Sequence, residues 1–396
     1  MNSFDLTTYL PRLGQAFALW LIAVAVVAGV AYACRHQITA DRVGRAFRLG
    51  FVTLIYAIVA AVVLNAFMAR WGFGGDRAKY GMTRAVTYTS IRPYVYRVLT
   101  PAVINGMTAA LPESAIEQRR AWLLEESPLL GFRRPNESWD LEKSVQWHVA
   151  YAYLFLTLMI ALVAARGLTR AVYDFGPLFV DLAPAVALML LPITFQWAGY
   201  SYDFPELAFL FVALLAIVRQ RWWLFYPVFV LAILNKESSV LIVLYFVAFA
   251  YTKGDLRAQL GHVAAQLLIG VVLLVTVRAM FAGMGGEPQR FYMPINLLFW
   301  FDYRAYTSFA TTYAPLVPMP RPGNVITLFL LGVVVAWGWS RKPPLVRTAF
   351  VLTSAVILPL TLVFGFMDEA RAMAPMFPPL YLLGCHTVAE LYEQWS

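Results

Sequence analysis

Charge is scarce in this chain. Lysine, arginine, aspartate and glutamate make up 13% of its 396 residues, against roughly 25% in ordinary soluble domains. With 61% hydrophobic residues and a mean hydropathy of +0.65, that deficit excludes a soluble globular class and leaves a polytopic membrane protein. Cysteine is scarcer still. Cys34 ends one apolar run and Cys385 lies in another, so no disulfide framework is implied. His148, His262 and His386 are scattered, and no His/Cys set has metal-ligand spacing. There is no Gly-rich phosphate loop, P-loop or nucleophile elbow. An Asp-x-Asp pair is missing as well, so neither a bound divalent metal nor another cofactor is indicated.

What the chain does have is apolar length with arginine at its breaks. The net charge of +9 fits arginines that fix membrane orientation, with an attraction to anionic lipid, rather than a nucleic-acid partner. The run at about 14–34 is too long for a signal-peptide core and is followed by Arg35, Arg42, Arg45 and Arg48, so it reads as a retained first helix with its N-terminus outside. Further helices are predicted at about 49–69, 147–166, 176–197, 206–218, 260–281, 324–339, 346–366 and 373–392. A hairpin of two more occupies 222–251. The predicted fold is an all-α integral membrane protein of about eleven transmembrane helices, with the C-terminus cytoplasmic. A long outer loop at 70–146 holds an apolar but non-spanning Val98–Leu111 and an interfacial Glu113–Glu126. A second outer loop covers 283–323.

Asn235-Lys236-Glu237-Ser238-Ser239 interrupts the apolar run from Trp222 to Tyr251. An ammonium and a carboxylate there need partners or a wet cavity. Arg219 and Arg221 precede the run and Lys253 and Arg257 follow it, so the run goes out and returns. Each arm is about 14 or 15 residues, roughly 21–23 Å of helix, shorter than the roughly 30 Å hydrocarbon core. The tip is therefore predicted to be recessed. Adjacent residues point apart on a helix, so Lys236 and Glu237 must each find partners elsewhere. Asp203, Glu206, Asp368, Glu369 and Arg371 are the candidates. Such a set is either a structural lock on helix ends or part of a site. These polar clusters fall on the outer side and the short basic connections on the inner one, which points to one outward-opening cavity. Asp174 and Asp181, two turns apart on the inner side, read as interfacial acids or as proton relays.

Arg92-Pro93-Tyr94-Val95-Tyr96-Arg97 places two arginines and two tyrosines directly before the non-spanning helix. Arginine forks match phosphate oxygens, so Arg92, Tyr96 and Arg97 read as a clamp for a lipid-carrier phosphate or as an anchor to phospholipid headgroups. Asp76, flanked by Gly74-Gly75 and by Arg77 and Lys79, is either a general base for an acceptor hydroxyl or a solvated loop acid.

Two stretches carry a family resemblance. Leu207 to Leu241, with Arg219-Gln220-Arg221-Trp222-Trp223 and Leu234-Asn235-Lys236-Glu237, resembles the short helix pairs of the GT-C superfamily of polytopic membrane glycosyltransferases. Tyr96-Arg97-Val98-Leu99-Thr100-Pro101 is similar to a Tyr-rich, Pro-ended motif of its bacterial members. The resemblance covers about 49–250. It implies sugar transfer from a polyprenyl-phosphate donor to an envelope glycan or lipid acceptor at the outer face of a bacterial inner membrane, with Asp76 as the base. The chain departs from the family in its extra first helix and in its single, glycine-flanked acid. The residues suit that chemistry independently: Arg92, Arg97, Lys236 and Arg371 can stabilise a departing phosphate, with Asp203 beside them, and Asp76, Glu237 or Asp368 can take the acceptor proton. A polysaccharide polymerase or ligase using lipid-diphosphate oligosaccharides, and a transporter or lipid flippase, are the alternatives.

Overall fold

The computed structural model describes residues 42–73, 81–133, 137–286, 291–310 and 319–395. The predicted helix at 14–34 and Asp76 lie outside the described residues. The chain divides into two compact units at Ile58/Val59. The described part of the first unit is the opening half of one helix, and the rest concerns the second unit.

The order of elements is α1 (Arg42–Trp71), α2 (Met82–Val86), α3 (Leu99–Ala109), α4 (Glu113–Gln118), α5 (Leu141–Val172), α6 (Pro177–Met189), α7 (Asp203–Val218) and α8 (Trp222–Asn235). There follow α9 (Val243–Thr252), α10 (Leu260–Met280), α11 (Met293–Phe301), α12 (Tyr303–Thr307), α13 (Val325–Ala336), α14 (Pro344–Phe364) and α15 (Phe377–Trp395). One antiparallel pair, β1 (Phe309–Ala310) with β2 (Met319–Pro320), joins α12 to α13.

The mostly helical architecture with candidate membrane spans fits an all-α membrane protein, and the described residues hold five of the about eleven crossings expected. Among the described residues five helices are long and apolar enough to cross a membrane: Phe47–Trp71, Leu141–Val172, Pro177–Phe195, Leu260–Met280 and Pro344–Phe364. Trp222–Asn235, Glu237–Thr252 and Val325–Ala336 are apolar but shorter. Hydropathy measures apolar length, whereas a crossing also needs an unbroken axis. The run at 222–251 is cut by Lys236, which leaves the helical region at φ −160°, ψ 131°. α13 stops after 12 residues, just before the left-handed Gly338.

Local chemistry sets the helix ends. Asp140 Oδ1 accepts from Lys143 N at 2.8 Å and caps α5, and Asn324 Oδ1 accepts from Ile326 N at 2.9 Å and caps α13. α7 ends in a Schellman motif, with Arg221 N bonded to Ala216 O at 2.8 Å and Gln220 N to Ile217 O at 2.9 Å. The left-handed position there is Gln220, φ 53°. The same motif ends α9 with Gly254, φ 71°, the residue that takes this conformation without cost.

α5 is 32 residues long, about 48 Å, some 18 Å more than a hydrocarbon core needs. Its first turns do another job. Trp147 and Val149 pack with Met82, Val86, Ile104 and Leu123 in a small apolar core. The described residues 81–133 thus pack as a cap on the start of α5, with α3 and α4 where the non-spanning segments are expected.

The basic ends of the helices meet each other. Arg166 Nε is 2.7 Å and Arg170 Nη2 3.4 Å from Asp181 Oδ1, and Arg219 Nη2 donates to Gly167 O at 3.4 Å. Lys342 Nζ donates to Val334 O, Trp337 O and Thr387 Oγ1 at 3.1, 2.6 and 2.7 Å, closing the end of α13. The opposite helix ends carry the candidate site.

Candidate functional site

The hairpin forms as expected. Trp222, at the start of α8, meets Phe246 and Phe249 near the end of α9, with ring centroids 5.4 and 6.2 Å apart, so the two arms are antiparallel. α8 has 14 residues, about 21 Å, so its tip stops short of a full crossing of about 30 Å. Asn235, Lys236 and Ser239 at the tip are buried. The extended residue at Lys236 turns its side chain and that of Glu237 toward different elements.

Lys236 faces α7. Its Nζ is 2.6 Å from Glu206 Oε2 and 3.3 Å from Asp203 Oδ1. Ser238 Oγ donates to Glu206 Oε1 at 2.9 Å. Both acids sit in the first turn of α7, where the helix dipole favours carboxylates. Arg371, in the 3₁₀ stretch Ala370–Met376, adds a second cation. Its Nη1 is 3.4 Å from Asp203 Oδ1, and its Nη2 bonds Glu369. Burial works against its charge, but the Asp203 and Glu369 carboxylates outweigh that, so the guanidinium holds its proton more tightly than usual.

Glu237 faces the other way, with Oε2 3.4 Å from Arg97 Nε. Arg97 Nη1 donates to the Tyr202 hydroxyl. Its guanidinium lies 4.1 Å from the Tyr202 ring and 5.2 Å from the Tyr94 ring. Tyr202 stacks on Tyr200 at 5.1 Å with planes 9° apart, and Arg371 covers Tyr200 at 4.5 Å. Each tyrosine of the stacked pair therefore carries an arginine, Arg97 held by Glu237 and Arg371 by Asp203 and Glu369. Cation–π contact fixes the guanidinium planes without using up all their donors. Asn235 locks the arrangement: its Nδ2 donates to Tyr202 O, and its Oδ1 accepts from Thr100 Oγ1 of α3, both at 2.9 Å.

Arg97, Tyr94, Tyr200 and Tyr202 line a shallow cleft of about 40 Å³, together with Trp71 and Phe73. Trp71 is set by its Nε1 bond to Phe195 O at 2.9 Å. Gly199 allows this approach, because a Cβ there would stand 2.6 Å from Phe67 and 2.7 Å from Trp71.

The predicted residues divide into groups. Asp203, Lys236, Glu237, Arg97 and Arg371 converge. Tyr96 lies apart, beside a small crevice that it lines with Glu237, Ile233, Leu274, Val277 and Arg278. Arg92 joins the second outer loop, its N bonded to Gly285 O at 2.9 Å. Asp368 is buried and accepts from Trp197 Nε1, from Arg321 Nη2 at 2.9 Å and from Gly323 N at 3.0 Å. It ties the chain before α13 to the chain after α14. Glu206 entered the sequence reading only as a partner for Lys236, and the paired Tyr200 and Tyr202 not at all. The signal for them is Tyr200-Ser201-Tyr202 directly before the acids that open α7.

Chemically, the cleft offers an aromatic surface with one guanidinium at its edge. Arg97 uses Nε and Nη1 on protein groups and makes no further hydrogen bond among the described residues, which leaves Nη2 for an anion. Among the described residues no three His, Cys, Asp or Glu side chains gather where they could hold a metal ion. No family model, no characterised protein and no solved structure matches the chain.

Proposed function

We propose that the protein is a membrane glycosyltransferase that moves a sugar from a polyprenyl-phosphate donor to a glycan or lipid acceptor at the outer face of a bacterial inner membrane. The observation that carries the reading is Arg97, held at the cleft wall by Glu237 and Tyr202 with one donor nitrogen unspent. A sugar leaving a lipid phosphate develops charge on that phosphate, and a guanidinium fixed in a partly dehydrated cleft stabilises it strongly. The tyrosine and tryptophan faces suit a sugar ring, which stacks its C–H surface on aromatics. For the base, Glu237 adjoins Arg97, while Phe73 and Gly81, the described neighbours of the segment holding Asp76, both line the cleft.

The test is transfer or hydrolysis of labelled polyprenyl-phosphate sugars by the purified protein in lipid nanodiscs. Arg97→Ala lowers the rate by about 10²–10³, as expected for loss of one preorganised charge contact. If Arg97→Ala and Asp76→Asn both leave turnover intact, the site is misassigned. Turnover confined to lipid-diphosphate oligosaccharides moves the protein to the polymerase or ligase class.

A further inference from the structure

The candidate site makes no use of α11. Its nine residues, Met293-Pro294-Ile295-Asn296-Leu297-Leu298-Phe299-Trp300-Phe301, carry no charge. At about 13.5 Å the helix cannot cross a hydrocarbon core of about 30 Å. Yet its outward face is strongly apolar: Leu298 is 74% and Phe301 88% exposed, with Ile295 and Leu297 beside them and Phe291 and Tyr303 at either end. A contiguous apolar patch of this kind rarely faces water.

The depth of α11 is fixed by its one buried polar residue. Asn296 is fully buried. Its Nδ2 donates to Leu362 O at 2.7 Å and Gly365 O at 2.9 Å, and its Oδ1 accepts from Met367 N at 2.7 Å. Tyr292 N donates to Val363 O at 2.9 Å. These are the last carbonyls of α14, one of the five candidate spans, and helix ends leave such carbonyls without intrahelical partners. α11 is thereby pinned to the level at which a spanning helix ends. That span also exposes apolar side chains, Leu358, Leu360, Leu362 and Phe364, in the last turns to which α11 is bonded. Charge returns immediately after the helix, with Asp302 and Arg304.

We infer that α11 lies in the membrane interface and presents Ile295, Leu298 and Phe301 to lipid acyl chains, so that the second outer loop is seated on the bilayer rather than in the aqueous phase. This rests on α11 and α14 alone and is independent of the proposed function. The partner is the lipid surface itself, by continuity with the lipid-facing side of α14.

The test places single cysteines at Leu298→Cys and Phe301→Cys in full-length protein with Cys34 replaced by serine; Cys385 is buried. Spin labels in nanodiscs report collision with oxygen, which partitions into lipid, and with a nickel chelate, which stays in water. Leu360→Cys is the lipid reference and Arg257→Cys the aqueous one. The oxygen-to-nickel ratio at 298 and 301 is expected to match the lipid reference and to exceed the aqueous one by about fivefold or more. A ratio equal to that of Arg257→Cys overturns the inference. So does exclusion of both reagents, which would mean that protein, such as a second copy of the chain, covers the face.

Discussion

Removing the ammonium of Lys236 tests the buried network most directly. Lys236→Met keeps the length of the side chain and strands Glu206, whose side chain is 1% exposed. At 2.6 Å and an effective dielectric of about 20, the gross attraction is about 6 kcal/mol. Desolvation costs several kcal/mol per ion and offsets most of that. The net cost of breaking the pair from one side is larger than the worth of the pair, because Glu206 keeps only Ser238 and stays buried. The expected loss is about 3–5 kcal/mol. Asp203 suffers less, since Arg371 and Tyr200 N still serve it. Lys236→Met combined with Glu206→Gln removes both charges, keeps an acceptor for Ser238, and recovers about 2 kcal/mol or more as coupling. The assay is reversible unfolding of the purified protein in mixed detergent micelles. A single variant within about 1 kcal/mol of wild type, or a double variant no better than the single, would refute the reasoning.

Two further outcomes follow from the helix ends. Gln220→Gly, read in the same unfolding assay, stabilises by about 0.5–1 kcal/mol, because a side chain in the left-handed position of the Schellman motif is strained; a loss of stability would mean that Gln220 is held by contacts of its own. Asn296→Ala leaves the Met367 amide and the carbonyls that end α14 without their partner, which costs about 2–3 kcal/mol, and hydrogen exchange at Met367 rises. Unchanged protection there would show that the clamp does not hold the end of α14.

The hairpin was readable because charge in an apolar run is conspicuous. Lys236 and Glu237 stand out, their flanking arginines orient the run, and their adjacency forbids mutual pairing. Asp203, Glu206 and Arg371 were on the short list of partners for the same reason. The tyrosines were hidden by abundance. Aromatics are 15% of the chain and serve membrane belts elsewhere, so the position of Tyr200 and Tyr202 before the acids of α7 is a weak mark. The division between Asp368 and Arg371 was equally hidden. They lie three residues apart, yet Asp368 turns to Arg321 and Trp197 while Arg371 turns to Asp203. Met367 at φ 52° and the 3₁₀ stretch after Glu369 separate them, and no periodicity announces such a bend. Apolar length alone does not separate a crossing from a shorter apolar helix, and Trp222–Asn235, Glu237–Thr252 and Val325–Ala336 are of the shorter kind.

The wiring of Lys236 also sets an order of events during synthesis. An ammonium entering a bilayer alone is expensive. Lys236 follows Glu206 by 30 residues and Asp203 by 33, so its counter-ions have already been made when α8 emerges. α7 and the hairpin can therefore enter the membrane with the Lys236 ammonium already paired. Arg371 arrives 168 residues after Asp203, once α10 and α14 have been made. Until then Asp203 shares Lys236 with Glu206, and the docking of the chain's last segment supplies the second cation. A chain truncated before residue 371 therefore leaves Asp203 with Lys236 as its only cation among the described residues.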